Sequence, residues 1–470
     1  MADAEAQTQE PVPESIPLDP EGSGWKEHLE ELLEQRRHQE LQAFMREVRP
    51  SDIADFLEGF DEVERGLFTF KQLAPDTRGE VLYEMQDELR LKYLSELLRP
   101  KEIATIVQNL QSDRAADVLA DLKLERISKI LSRIPHEGRS RITELLSYPE
   151  NTAGAIMAKE FVAVEENHTV KQAISTIRKF SRVADDIHKV YVLDEAGRYK
   201  GHVSLKRLIL SRPQTRVKRI MEQELLPIPV YTDREEVAKF FTRYDFITAP
   251  VVDGRGVMLG RITVDDILEV VEEEASEDIL RMGGVSGEET LTTPLYKKSL
   301  QRVVWLVVNL VTAFVAAGVI KQFEATIANT VVLAALMPIV AGMGGNAATQ
   351  TMALVIRNIA LGELTEANRG RTLLTEITIG IINGVSIGIL TGFAVFVLTG
   401  EWVLGFIIFG ALVVNLIVAA TAGTLVPILL RSLKIDPAIG SGIVVTTCTD
   451  VMGFLVFLGL AHVGIELLGL

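Results

Sequence analysis

From about residue 301 the chain carries five long apolar runs, near 302–320, 328–356, 377–399, 403–430 and 441–465, each long enough to cross a bilayer. Hydrocarbon offers no partner to a free N–H or C=O, so each run must close its own hydrogen bonds as a helix. Residues 299–470 are thus predicted to be an all-α transmembrane domain with five helices. An odd number of spans puts the two termini on opposite sides. Lys297, Lys298 and Arg302 precede the first run, Arg357, Arg369 and Arg371 separate the second from the third, and Arg431 and Lys434 the fourth from the fifth. By the positive-inside rule these three sites are cytoplasmic, which places the N-terminus inside and the C-terminus outside.

Charge is unevenly shared. The whole chain is −16, and residues 301–470 hold seven Lys/Arg against eight Asp/Glu, so −15 belongs to residues 1–300. Such an acidic part argues against nucleic acid or anionic lipid as a partner and for cations. The single cysteine, Cys448, excludes an intramolecular disulfide framework and a CxxC zinc site. Residues 1–24 are polar and rich in Pro, Glu and Asp, show no cleavable signal peptide, and are expected to be a disordered tail.

Just before the apolar half lie Asp265, Asp266, Glu269, Glu272, Glu273, Glu274, Glu277 and Asp278. As a helix, this connecting segment (263–298) puts Asp265, Glu269, Glu272 and Glu273 on one side, where carboxylates at i and i+4 repel unless cations lie between them. Oxygen ligands without His or Cys suit magnesium or calcium. A solvated acidic face is the plainer alternative.

Residues 25–150 show short amphipathic helical pieces recurring after Pro or polar breaks, such as Ile53–Leu57, Ile103–Val107 and Ala116–Leu122. They are too short to be stable alone and are expected to stack as a helical superhelix. Residues 151–262 repeat one β-α-β-β-α pattern about 59 residues apart, with strands at Val190–Asp194 and Pro250–Asp253. The pair resembles tandem CBS domains, α/β regulatory modules that often bind adenosine nucleotides, so ATP is a candidate cofactor there. The first copy presents Lys206-Arg207 where such modules commonly place a ribose-binding acid, whereas the second keeps Asp265 and Asp266. Lys206 and Arg207 would meet phosphates or form a solvated basic pair.

Two membrane motifs carry polar chemistry. The second run contains Pro338, Gly342, Gly344, Gly345, Asn346 and Gln350, a set expected to open the backbone and to line a pore or a helix interface. Close packing through Gly342 and Gly345 is the alternative. In the fifth run Asp450 costs about 2.5–3.5 kcal/mol at the bilayer centre, so it is expected to face an aqueous path and meet a cation.

The order of helical domain, CBS pair, acidic connecting helix and five spans, with PxxxGxGGNxxxQ and Asp450, resembles the MgtE family of magnesium channels from residue 25 to the C-terminus. The resemblance implies a homodimer in a bacterial-type plasma (inner) membrane, with paired Asp450 carboxylates at a central pore and oxygens of Gly442 and Thr446 along it. It also implies a magnesium sensor made of Asp266, Glu269, Glu274, Glu277 and Asp278 on the connecting helix, Asp233, Glu235 and Asp245 of the second CBS domain, and Glu80, Asp113 and Asp117 of the helical domain. Mg2+ would be both substrate and regulator, closing the gate when bound. Two other readings stay open: a transporter of another divalent ion such as Co2+ or Mn2+, and a non-conducting membrane sensor. An enzyme is not expected, since no HExxH, GxxxxGK[ST] or GxSxG motif occurs.

Overall fold

A computed structural model describes residues 24–35, 37–60, 62–180, 187–223, 226–287, 289 and 293–468. The expected disordered tail lies outside these residues except for Gly24, which opens the first helix. The chain forms two compact units, 1–268 and 269–470.

The first unit begins with short helices. From residue 50 they start at Pro50, Val63, Pro75, Asp87, Pro100, Ser112, Leu124 and His136, so the helix pair recurs every 24 or 25 residues. Proline stands at the first helical position of three of them, where its missing N–H costs nothing and its fixed φ favours the turn. None exceeds 10 residues among these eight, and each buries one face: Ile53, Phe56 and Leu57, then Val81 and Leu82, then Ile103, Ile106 and Val107. The apolar faces stack on those of neighbouring repeats, as in solenoid proteins.

Two three-stranded sheets follow. In the first, β1 (Ala163–Glu165) pairs parallel with β2 (Lys189–Leu193), which pairs antiparallel with β3 (Tyr199–Ser204). In the second, β4 (Ile228–Pro229), β5 (Thr248–Val252) and β6 (Met258–Thr263) repeat that order and sense. From 189 to 248 and from 199 to 258 the offset is 59 residues, so the internal repeat read from the sequence is the repeat of the fold. The Tyr191 hydroxyl meets Thr248 Oγ1 at 2.8 Å between the copies.

The acidic helix, Val264–Met282, begins in the first unit and ends in the second. The five spans are Leu295–Gln322, Val332–Ala360, Arg369–Thr399, Trp402–Ser432 and Ser441–Leu468. The fourth span is the most enclosed of them. The third and fourth meet backbone to backbone along Gly380, Gly384, Gly388 and Gly392, one glycine every four residues. A Cβ added at Gly380 would lie 2.9 Å from the Leu416 carbonyl oxygen, and one at Gly392 would lie 2.7 Å from that of Gly405. Small residues at this spacing let membrane helices approach closely where no hydrophobic effect drives them together.

The second span departs from the expectation of an opened backbone, because Val332–Ala360 is one continuous helix with Pro338 inside it. Pro338 lies in the second turn, where only the Ala334 carbonyl loses its helical donor. Nor do Gly342 and Gly345 pack against a neighbour: a Cβ at either would meet nothing within 4 Å. Gly344 is the packed glycine, and it is filled by Asn415 of the fourth span.

Candidate cation path and acidic sensor

In the fifth span Gly442, Thr446 and Asp450 follow at intervals of four, one helical turn apart on one face. Thr446 Oγ1 donates to the Gly442 carbonyl oxygen at 2.7 Å. That oxygen also accepts the backbone N–H of the next turn, so both its lone pairs are engaged. The oxygens this face offers an ion are therefore the half-buried Asp450 carboxylate and the exposed Thr446 hydroxyl. The Gly442 carbonyl, expected to offer its oxygen to an ion, here accepts the Thr446 hydroxyl.

On the second span Gly342, Asn346 and Gln350 form an exposed stripe, again at intervals of four. Among the described residues neither amide has a hydrogen-bond partner. An amide on a membrane helix needs water or another polar surface, which suits a path or a second subunit. Two polar residues escaped the sequence reading. Glu376 is buried in the third span and accepts from Thr351 Oγ1 at 3.1 Å, one residue before the run predicted to start at 377. Asn415 is fully buried in the fourth span, inside a run that reads as apolar.

The end of the acidic helix lies against this bundle. Met282 packs with Ala348, Met352, Ile356, Ala419 and Val445, and its carbonyl oxygen is 3.9 Å from the position of a Cβ on Gly442. One residue earlier, Arg281 forms ion pairs with Glu277 and with Asp436 in the link between the fourth and fifth spans. Asp436 also accepts from the Ala438 N–H at 2.8 Å and so starts the turn into the fifth span.

In the first unit the acidic residues divide into two groups. Thr263 precedes the acidic helix, and Asp266 accepts from its N–H at 3.0 Å and its hydroxyl at 2.6 Å, closing the first turn. Asp113 is buried; desolvation first, then Asp266, Glu160 and Asp117, push its carboxyl well above the usual range. Burial likewise raises Asp266. Glu160, absent from the sequence reading, is fixed by the Ser112 N–H and hydroxyl and by Arg141 at 3.1 Å. It lies 48 residues along the chain from Ser112, a separation that carries no sequence signal.

Glu80 takes a different role, being paired with Arg114, whose other edge is 3.9 Å from Asp265 and whose plane lies over Tyr83. A cation at Glu80 must compete with that guanidinium. In the second CBS copy Asp233 caps the helix Arg234–Tyr244 by accepting from the Glu235 N–H, Glu235 pairs with Lys239 at 2.7 Å, and Asp245 ends the helix with φ 51°. Eleven residues of helix separate the two ends by about 16 Å, so Asp233 and Asp245 of one chain do not share an ion. Glu269, Glu274, Glu277 and Asp278 occupy the second part of the acidic helix. Among the described residues no three His, Cys, Asp or Glu side chains gather closely enough to hold a metal ion by themselves. Arg207 of the first CBS copy is paired with Glu222 at 2.6 Å and is not a merely solvated cation.

Comparison with known proteins agrees along the chain. The family described as MgtE, divalent cation transporter, matches residues 337–460, the MgtE intracellular N domain matches 48–151, and the CBS domain matches 153–212 and 217–273. The magnesium transporter MgtE of Bacillus subtilis is 31% identical over 92% of this chain and 95% of its own length. That of Thermus thermophilus is 33% identical over 93% and 98%. A crystal structure of the soluble part of a magnesium transporter, 29% identical, covers 54% of this chain and 99% of its own with a TM-score of 0.50.

Proposed function

This chain belongs to the MgtE family of divalent cation transporters, and from that premise we propose that it is a multi-pass membrane channel carrying Mg2+, shut from the cytoplasmic side by Mg2+ itself. The observation that carries the proposal is the meeting of the acidic helix with the candidate path: Met282 lies beside Gly442, two turns before Asp450. A helix rich in carboxylates thus ends where it can govern access to the helix bearing the membrane carboxylate.

Magnesium dehydrates reluctantly and keeps several waters, so a carboxylate and a hydroxyl on one face can hold the hydrated ion loosely enough to release it. Asp450 supplies the charge, Thr446 an outer-sphere oxygen, and Asn346 and Gln350 polar lining. A homodimer would present two Asp450 carboxylates to one ion, and the exposed amide stripe of the second span supports a polar surface there. The N-terminus lies in the cytoplasm by the basic residues flanking the spans.

In the sensor, Asp113 is buried and Asp266 half-buried, and their like charges favour proton or cation uptake. Mg2+ taken up separately at different members of the acidic set, which also includes Asp117, Asp233, Glu235 and Asp245 and, on the acidic helix, Glu269, Glu274, Glu277 and Asp278, favours the closed arrangement, because an ion that binds one state better shifts the population toward it. ATP at the CBS pair would be a second regulator; with Arg207 held by Glu222, Lys206 is the cation of that pair left to meet its phosphates. The test is Mg2+ influx into liposomes by wild type and Asp450→Ala. Influx lost in the variant, with the protein still inserted, supports the path; influx at the wild-type rate removes it.

A further inference from the structure

Asn415 is the fully buried amide of the fourth span. Its Nδ2 donates to the Val340 carbonyl oxygen of the second span at 2.9 Å, and its Oδ1 has no partner among the described residues. The same carboxamide fills two glycine notches. A Cβ on Gly344 of the second span would collide with it, and one on Gly453 of the fifth span would lie 2.7 Å from Nδ2 and 3.0 Å from Cγ.

Helix packing alone does not ask for this residue. An alanine or leucine would bury without the cost of an acceptor left unsatisfied, and an unmet polar group in a core calls for a reason. The location supplies one. Gly344 stands two residues before Asn346, and Gly453 stands three residues after Asp450, so the amide touches both polar helices beside the groups read as the path.

We propose that Asn415 is a positioning residue for ion selection, which holds the fifth span against the second and thereby sets the depth and orientation of the Asp450 carboxylate. The inference rests on the reading of Asp450 as the permeation carboxylate. A hydrated divalent ion is recognised through its water shell, so the carboxylate must be placed to match the hydrated size. When the grip on Val340 is lost the carboxylate shifts, and discrimination suffers before the fold does.

The test uses full-length protein in liposomes, with influx of Mg2+ and of Co2+ measured against concentration and thermal melting recorded for each variant. Asn415→Leu keeps the branched shape and removes the donor, whereas Gly453→Ala pushes on the amide from the opposite side. Each is expected to keep its melting temperature within about 4 °C. Each should lower the Mg2+-to-Co2+ rate ratio about tenfold, the scale of discrimination that a small misfit removes. Because both act through one contact, the double variant should be no worse than the worse single one, and not the product of the two.

Unchanged half-saturation and ion ratio in both single variants, beside an inactive Asp450→Asn, would overturn the positioning role and leave the path intact. Wild-type influx in Asp450→Asn would instead overturn the path, and the inference with it. Should Asn415→Leu fail to fold, Gly453→Ala decides by the same ratio.

Discussion

Arg281→Gln tests the join between the acidic helix and the spans, because it removes the cation that pairs with both Glu277 and Asp436. The three side chains are 30%, 22% and 28% exposed, between the surface and buried limits. Exposed pairs contribute about 0–1 kcal/mol and breaking buried ones costs about 3–5 kcal/mol, so after discounting for solvent screening about 1.5 kcal/mol is a fair value here. That energy weakens the docked, closed arrangement about tenfold relative to the open one. If one Mg2+ governs the gate, the concentration that half-inhibits influx rises about tenfold; if two or four ions act together it rises about threefold or twofold, the corresponding root of ten. The assay is influx into liposomes whose cytoplasmic-side Mg2+ is set in steps. An unmoved midpoint, or one moved to lower Mg2+, refutes the claim that this ion-paired end of the helix helps hold the path shut.

Asp113→Asn should raise the metal-free melting temperature of the full chain. The folded carboxyl titrates above its ordinary value near 3.8, so its stabilising contribution is complete below that value and is lost as pH rises through the folded one. Calorimetry should therefore show wild type losing stability as pH rises in that window without metal, the variant losing less, and Mg2+ protecting the variant less; equal pH slopes would contradict this. Gly392→Ala places a methyl 2.7 Å from the Gly405 carbonyl oxygen, where neither backbone can yield without parting the helices. It should cost about 1–3 kcal/mol, read as a lower melting temperature in detergent, and an unchanged one would refute the glycine contact. Asn346→Leu should slow Mg2+ influx without lowering the melting temperature, whereas influx at the wild-type rate would remove the amide stripe from the path.

Much of this architecture is legible along the chain because its signals are local or periodic. Five apolar runs give five spans, although the first helix starts at Leu295, seven residues before the expected 302, and the third at Arg369, eight before the expected 377, since basic first turns continue each helix beyond the apolar core. The duplicated pattern gives the 59-residue offset of the sheets. Proline every 25 residues, at 50, 75 and 100, marks the stacked helices.

What escaped detection depends on residues brought together by packing. Asn415 is hidden by its apolar neighbours and is identified only when Gly344 and Gly453 close on it. Arg281 and Asp436 lie 155 residues apart in the chain. Pro338 was expected to break a helix that remains whole, because one missing N–H in the second turn is a smaller cost than opening the backbone in hydrocarbon. For Glu80 residue type alone omits a partner: an acidic side chain suited to a cation is already paired with Arg114, 34 residues along the chain.

The most direct measurement is Mg2+ current through single inserted molecules while Mg2+ on the cytoplasmic face alone is raised, in wild type and in Asp450→Asn. Current in the wild type that falls as cytoplasmic Mg2+ rises, and no current in the variant at any concentration, is the predicted result. Current that ignores cytoplasmic Mg2+, or that persists without the Asp450 charge, would contradict the account.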